Sequence, residues 1–285
     1  MIPPVFVIGA SGRSGAALCR ALLAAGRPIV PVVRNAARWH ATGLPGTPRL
    51  LDLLTPNAAA LADATHVVSC AHARHAGAIL RVSPASIHVF LGSTRRYSRW
   101  PDAHGDGVRA GEAAFLTAGR PGVMLHPTMV YGAAGEDNVQ RLAALLRRLP
   151  IVPLPGGGRA LVQPIHQADL TRCILAALDR AWAEPAVVTV AGPAPVPYAE
   201  FVRAIAAAAG LRAPRIVPFP GAILRALTPL TALPGLPRIG ADEIRRLLED
   251  KAFDIGPMRR IFGVEPMPLD TGLALTFQEH GDARP

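Results

Sequence analysis

The sequence predicts an α/β fold, a doubly wound parallel sheet that carries a smaller C-terminal lobe. Short apolar runs alternate with helical patterns through most of the chain, as in successive βαβ units. The first such run enters a glycine-rich turn that opens a helix. At 285 residues, half of them hydrophobic, the chain can bury a large core and still supply a second lobe.

The elements follow in order. Val5-Phe6-Val7-Ile8 reads as a buried strand, and Gly9 to Gly15 as the turn. Ala16 to Ala25 continues at helical period until Gly26 ends it, and Pro28 to Val33 supplies the next strand. Arg49 to Leu53 reads as the end of a third strand, Ala58 to Ala64 as a helix, His66 to Ala71 as a fourth strand and Ile87 to Leu91 as a fifth. Gly107 to Phe115 reads as a helix, Asp137 to Arg148 as an amphipathic one, and Pro153 to Gly158 as a turn back toward the core. Val187 to Gly192 is the last core strand, followed by a helix from Tyr198 to Ala209 and a proline-rich stretch from Pro214 to Pro237. In that cap, Phe219, Ile223, Leu224, Leu227 and Leu230 line an apolar pocket or form the lobe's own core.

The strand-turn-helix context makes the first turn a dinucleotide site in a Rossmann-like sheet. Gly9 permits the tight turn, Gly12 lets the backbone approach a pyrophosphate, and Gly15 lets helix and strand pack closely. Ser11, Arg13 and Ser14 complete the loop, and the helix start offers free N–H groups and a positive dipole end to the phosphates. No Asp or Glu lies close to the end of the second strand; Arg34 stands there instead. With Arg13 it favours a 2′-phosphate over a 2′-hydroxyl, so NADP is expected, with NAD as the alternative. Ligands in such sheets sit beyond the carboxyl ends of the strands, which adds Asp52, Cys70, Ala71, His72 and Ser93 to the same rim. Asp52 there either bonds an adenine edge or is a helix-capping or solvated carboxylate after a strand.

The net charge of +10 raises nucleic acid as a partner. The arginines are nevertheless scattered through pairs such as Arg95-Arg96, Arg147-Arg148, Arg245-Arg246 and Arg259-Arg260, with neither aromatic interleaving nor a basic tail, which argues against it. Cys19, Cys70 and Cys173 are distant from one another and lie in apolar stretches, fitting neither a disulfide framework nor a metal cluster. No metal is expected. Met1-Ile2-Pro3-Pro4 runs straight into the first strand, and no apolar run reaches membrane-spanning length without interruption. A cytoplasmic protein without membrane insertion is expected, with a small-molecule substrate and a homodimer as the compatible partners.

Several segments together resemble the extended and atypical short-chain dehydrogenase/reductase superfamily, in its epimerase/dehydratase-like branch. These are Gly9 to Gly15, Gly92-Ser93-Thr94-Arg95-Arg96-Tyr97, Leu125-His126-Pro127-Thr128-Met129-Val130-Tyr131-Gly132, Gln163 to Leu170, and Phe253 to Gly263. The resemblance covers nearly the whole chain. It implies that the backbone at Pro127, Thr128 and Met129 lies against the nicotinamide, that Ser93 hydrogen-bonds the reacting oxygen, and that Tyr97 faces the substrate. Residues 1–134 and 159–193 are then expected to form the NAD(P)-binding domain, and 135–158 and 194–285 the substrate lobe.

One departure stands out. Active members resemble one another in a Tyr-x-x-x-Lys dyad, where lysine prepares the phenol for proton exchange. Here the only lysine is Lys251, preceded four places earlier by Leu247, and Tyr97, Tyr131 and Tyr198 are followed four places later by Pro101, Gly135 and Val202. Matching Glu112 to the glutamate one turn beyond the family's lysine puts His104 and Val108 at the dyad places. His104 can exchange a proton near neutral pH, whereas Arg109 beside it can only polarise. His72, His104 and His126 have the right chemistry as acids, though a lone histidine near a strand end or in a loop is more often structural or solvated. His166 and Asp169 read as a helix start rather than a catalytic pair.

The expected function is an NADP-dependent oxidoreductase of a small carbonyl or alcohol, working without the usual dyad through Ser93 and Tyr97. A non-catalytic NADP-binding sensor or assembly protein is one alternative, as the resemblance to the superfamily's respiratory complex I accessory subunit allows. A sugar-nucleotide epimerase or dehydratase is the other, disfavoured by the missing dyad.

Overall fold

A computed structural model describes residues 2–83, 86–100, 102–132, 138–149, 151–222 and 245–281. Strands β1 (Val5–Ile8), β2 (Ile29–Val33), β3 (Arg49–Leu50), β4 (His66–Ser69), β5 (Ile87–Leu91) and β6 (Gly122–Pro127) join β11 (Pro185–Val190) in one seven-stranded sheet. Its order is β11-β6-β5-β4-β1-β2-β3 and all of its pairings are parallel. β1 lies at the point where the winding reverses. The strands are continuous apolar runs because both faces are covered: Val5 to Ile8 are all buried.

One face is covered by α1 (Arg13–Ala24), α6 (Gln167–Asp179) and α8 (Gly256–Phe262), which press Leu18, Leu22, Cys173, Ile174 and Met258 onto Val5, Val68 and Val123. α3 (Ala76–Val82) and α4 (Ala103–Ala118) cover the other, where Ile79 and Phe115 meet Phe6, Phe90 and Met124. A third cluster joins Tyr131 of β7 (Val130–Tyr131) to α5 (Asn138–Arg148), β8 (Ile151–Pro155), α7 (Tyr198–Ala208) and α9 (Leu269–Gly281). Three two-stranded pairings complete the described strands. They are β13 (Arg215–Phe219) with β8, β10 (Ile165–His166) with β7, and β12 (Val196–Pro197) with β9 (Leu161–Val162).

Several boundaries differ from the sequence reading. α1 begins at Arg13 because Gly12, in extended conformation, already serves as its N-cap. Residues 58–64 form no α-helix: Ala58–Ala60 is a single 3₁₀ turn capped by Asn57, too short to propagate. β3 stops at Leu50, β4 at Ser69 and β11 at Val190. α4 is longer than expected at sixteen residues, with Asp102 capping Gly105 and Gly119 closing it in left-handed conformation. Phe219 ends β13, whereas Ile223, Leu224, Leu227 and Leu230 lie outside the described residues. So does the expected helix start at Asp137.

Candidate functional site

The loop after β1 is shaped by its glycines. Gly9 has φ of +77°, and its amide donates to Val32 O at 2.9 Å, which fastens the turn to β2. A Cβ on Gly15 would stand 2.2 Å from Gly9 O and 2.9 Å from Ala10 Cα, so only glycine lets α1 sit this close to the loop. Gly12 differs: its Cβ would meet only Gly9 O, at 3.2 Å, and would otherwise project into open space. α1 has neither a side-chain cap nor an acidic residue in its first turn. With no carboxylate competing at this helix start, the loop is a cradle that fits a pyrophosphate. Ser14 Oγ donates to Gln167 Oε1 at 2.8 Å, tying this helix start to α6.

The other expected contact residues follow around the rim. Arg34 is exposed just past β2, and Asn35 beside it caps α2 (Ala36–His40). Asp52 is exposed beyond β3 and accepts from Leu54 N at 2.9 Å, so its carboxylate shapes the local turn. Cys70, Ala71 and His72 follow β4, where burial raises the Cys70 thiol above its ordinary value and keeps it neutral. With Ser14, Gly92, Pro127, His104 and Val108 they line a cleft of about 310 Å³.

A second cleft of about 640 Å³ opens beside it. Ser93, Tyr97, Thr128 and Met129 line it together with Arg141 of α5, Tyr198 of α7, Arg246 and Lys251. Ser93 Oγ accepts from Arg95 N at 3.2 Å, which leaves its own hydrogen to donate elsewhere. Tyr97 is 46% exposed, with its hydroxyl 3.4 Å from Thr189 Oγ1. Thr128 Oγ1 donates to Gln163 O at 2.5 Å. Of the predicted site residues, Ser14, Cys70, Ala71, His72 and Pro127 line the smaller cleft and Ser93, Tyr97, Thr128 and Met129 the larger, whereas Gly9, Ser11, Gly12, Arg13, Gly15, Arg34 and Asp52 line neither.

Sequence reasoning named His126, Glu112 and Arg96 separately and missed that they meet beneath this floor. His126 is fully buried; its Nδ1 accepts from Ser93 N at 3.0 Å, so Nε2 carries the proton and donates to Glu112 Oε2 at 2.6 Å. Arg96 Nε forms an ion pair with the same carboxylate oxygen at 2.9 Å. Burial pushes the His126 ring below its ordinary pKa against the pull of Glu112. This histidine holds the β5 end in place rather than facing a ligand. Gly92 makes room for it: a Cβ there would stand 2.2 Å from Nδ1.

The C-terminal segments close the larger cleft. Glu249 is buried and accepts from Ser98 Oγ at 2.8 Å and Arg99 N at 2.6 Å. Gln163 Nε2 donates to Gly192 O at 2.8 Å, and its Oε1 accepts from Phe253 N at 2.8 Å. Lys251 Nζ donates to the carbonyls of Arg246 and Glu249, and burial lowers its pKa. His166 Nδ1 caps α6 by accepting from Ala168 N, while buried Asp169 accepts from Met267 N at 2.9 Å, as a structural pair would. Among the described residues no cluster of three or more His, Cys, Asp or Glu side chains is placed to hold a metal. No described helix is long and apolar enough to cross a membrane.

Neither a protein-family model nor a curated protein matches the chain. Solved structures do. MoeE5 in complex with UDP-glucuronic acid and NAD is 20% identical, with a TM-score of 0.71 over 98% of this chain and 100% of that one. The UDP-glucuronic acid 4-epimerase of Bacillus cereus, in complex with UDP-glucuronic acid and NAD, is 16% identical, with a TM-score of 0.72 over 99% and 100%. A short-chain dehydrogenase/reductase superfamily protein from Agrobacterium tumefaciens with bound NAD is 17% identical, with a TM-score of 0.71 over 99% and 98%. The seven-stranded parallel sheet and its flanking helices are therefore a Rossmann-like α/β fold, shared over nearly the whole chain with these NAD-bound structures.

Proposed function

We propose that the chain binds a nicotinamide dinucleotide along the carboxyl ends of the strands and is an NAD(P)-dependent oxidoreductase of a small carbonyl or alcohol. The observation that carries this reading is the continuity of the site. A glycine cradle at a helix start without acidic residues leads through Ser14 into the smaller cleft, and the larger one begins beside it where Gly92 gives way to Ser93. Solved structures of the same fold hold NAD.

Residues 1–134 and 159–193 then form the cofactor domain, and 135–158 and 194–285 the substrate lobe. Gly9, Ser11, Gly12, Ser14 and Gly15 hold the pyrophosphate. Arg13 and Arg34 select NADP through bidentate contacts to its 2′-phosphate, with Asp52 at the adenine end. Cys70, Ala71, His72, Pro127, Thr128 and Met129 flank the nicotinamide end. The bound cofactor supplies the hydride chemistry. Ser93 donates its hydroxyl hydrogen to a substrate oxygen, and Tyr97 orients the substrate at the mouth.

A second reading keeps the fold and changes the substrate. Arg95, Arg141, Arg246 and Lys251 line the larger cleft, and MoeE5 and the Bacillus cereus enzyme bind UDP-sugars. This favours a sugar nucleotide, whose diphosphate suits arginine-rich walls. Titration with NADPH and NADH by fluorescence, followed by turnover on carbonyls, enones and UDP-sugars, separates the readings. Saturable binding with oxidation on a carbonyl supports the first, and turnover of UDP-sugars alone supports the second. Absence of binding to either dinucleotide refutes both, and tight binding without turnover makes the chain a non-catalytic binder.

A further inference from the structure

We propose that His104 is the proton-exchanging group of this site, with the His72 ring as its positioning partner. The inference rests on the oxidoreductase reading above and assigns the step that Ser93 and Tyr97 leave open. Both histidines line the smaller cleft, which also contains Gly92, the neighbour of Ser93. Their ring centroids are 4.4 Å apart at an interplanar angle of 75°, an edge-to-face contact.

The surroundings keep this pair in place. His72 Nδ1 accepts from Arg74 N at 3.1 Å, so His72 is fixed as the cap of the 3₁₀ turn Ala73–His75. Gly107 on α4 leaves room for the ring: a Cβ there would stand 2.8 Å from His72 Cε1. Gly105 similarly lets the first turn of α4 approach Arg95, whose carbonyl oxygen would lie 2.9 Å from an added Cβ. Val108, one turn along the helix, is apolar and buried and lines the same cleft. His104 is therefore the titratable side chain that α4 itself offers to this cleft.

The charges around it point one way. Arg95, Arg246 and Arg74 face His104 and oppose its protonation, and Asp102 favours it; burial, the largest effect, leaves the ring below its ordinary pKa. His72 is pushed down to about 4 by burial and by His104, Arg74, His75 and Arg95. His72 is thus neutral near neutral pH. In alcohol oxidation the C–H bonding pair leaves the carbinol carbon as hydride for the nicotinamide ring, while the hydroxyl proton passes to the neutral His104 imidazole. A carbonyl and an imidazolium remain. Reduction reverses both transfers, so oxidation should quicken and reduction slow as pH rises through the His104 midpoint.

The test is histidine NMR on the full chain, with His104→Gln used to identify the His104 signal. The positive ring of an oxidised cofactor nearby should lower the His104 midpoint by about half a pH unit or more relative to the reduced cofactor. His104→Gln should retain cofactor affinity and lose about a hundredfold or more in turnover of whichever substrate the wild type uses. Equal midpoints with the two cofactor forms overturn the proposal on wild-type protein alone, however the variant folds. Undiminished turnover in the variant, or a wild type that binds cofactor without turnover, overturns it as well. Failure of the wild type to bind either dinucleotide instead refutes the oxidoreductase reading.

Discussion

Replacing Gly92 with alanine tests how the floor under Ser93 is built. Gly92 is not among the positive-φ glycines, so alanine introduces no backbone strain of its own. The cost comes from the His126 ring, whose Nδ1 and Cε1 would lie 2.2 and 2.5 Å from the new Cβ. The ring is fully buried and cannot yield without giving up its bonds to Ser93 N and Glu112. Losing the neutral bond costs about 1 kcal/mol and the charge-assisted one about 1.5–3 kcal/mol, together about 2.5–4 kcal/mol. That is a large part of a typical net stability of about 5–15 kcal/mol. Urea unfolding followed by circular dichroism, for Gly92→Ala alone and in a His126→Ala background, reads the effect. Without the ring, the same alanine should cost less than about 1 kcal/mol, giving a coupling of about 2–3 kcal/mol. Equal costs in the two backgrounds would refute the assignment of Gly92 to the histidine.

Three other outcomes are expected. Gly15→Ala should destabilise the fold and abolish dinucleotide binding, because its Cβ meets backbone at 2.2 Å, whereas Gly12→Ala should fold normally and lose affinity alone; thermal melts and fluorescence titration distinguish them. Arg34→Ala should erode any preference for NADPH over NADH, and an unchanged ratio of dissociation constants would remove Arg34 from the 2′-phosphate site. Burial, with Arg120, holds His88 at about 4 against an ordinary 6.5. The unfolded chain thus binds the proton more readily, so His88 favours the fold above pH 6.5 and destabilises it as pH falls toward about 4. His88→Gln should flatten the loss of stability across that window in urea titrations.

The sheet was legible because both of its faces are covered, which makes its strands continuous apolar runs that need no alternation. The glycine turn was legible for a related reason: Gly9 and Gly15 answer to backbone geometry within a few residues of themselves. Residues 58–64 misled because alanine's helix propensity competes there with Asn57 and with Arg49 Nη1, which donates to Ala60 O at 3.2 Å. The His126–Glu112 pair was hidden because strand and helix contribute one member each, and nothing local marks them as partners. The contact between His72 and His104 was hidden likewise, since it depends on the glycines of α4 admitting a neighbouring turn.

The clamps made by Gln163, Glu249 and Asp169 bear on the timing of assembly. They join residues 90, 151 and 98 positions apart, separations whose loop-closure entropy slows folding relative to local contacts. β1, α1 and β2 lie close in sequence and can form early, setting the glycine turn before the wall of the larger cleft exists. The glycine turn thus depends on short-range contacts, whereas the wall of the larger cleft depends on long-range ones.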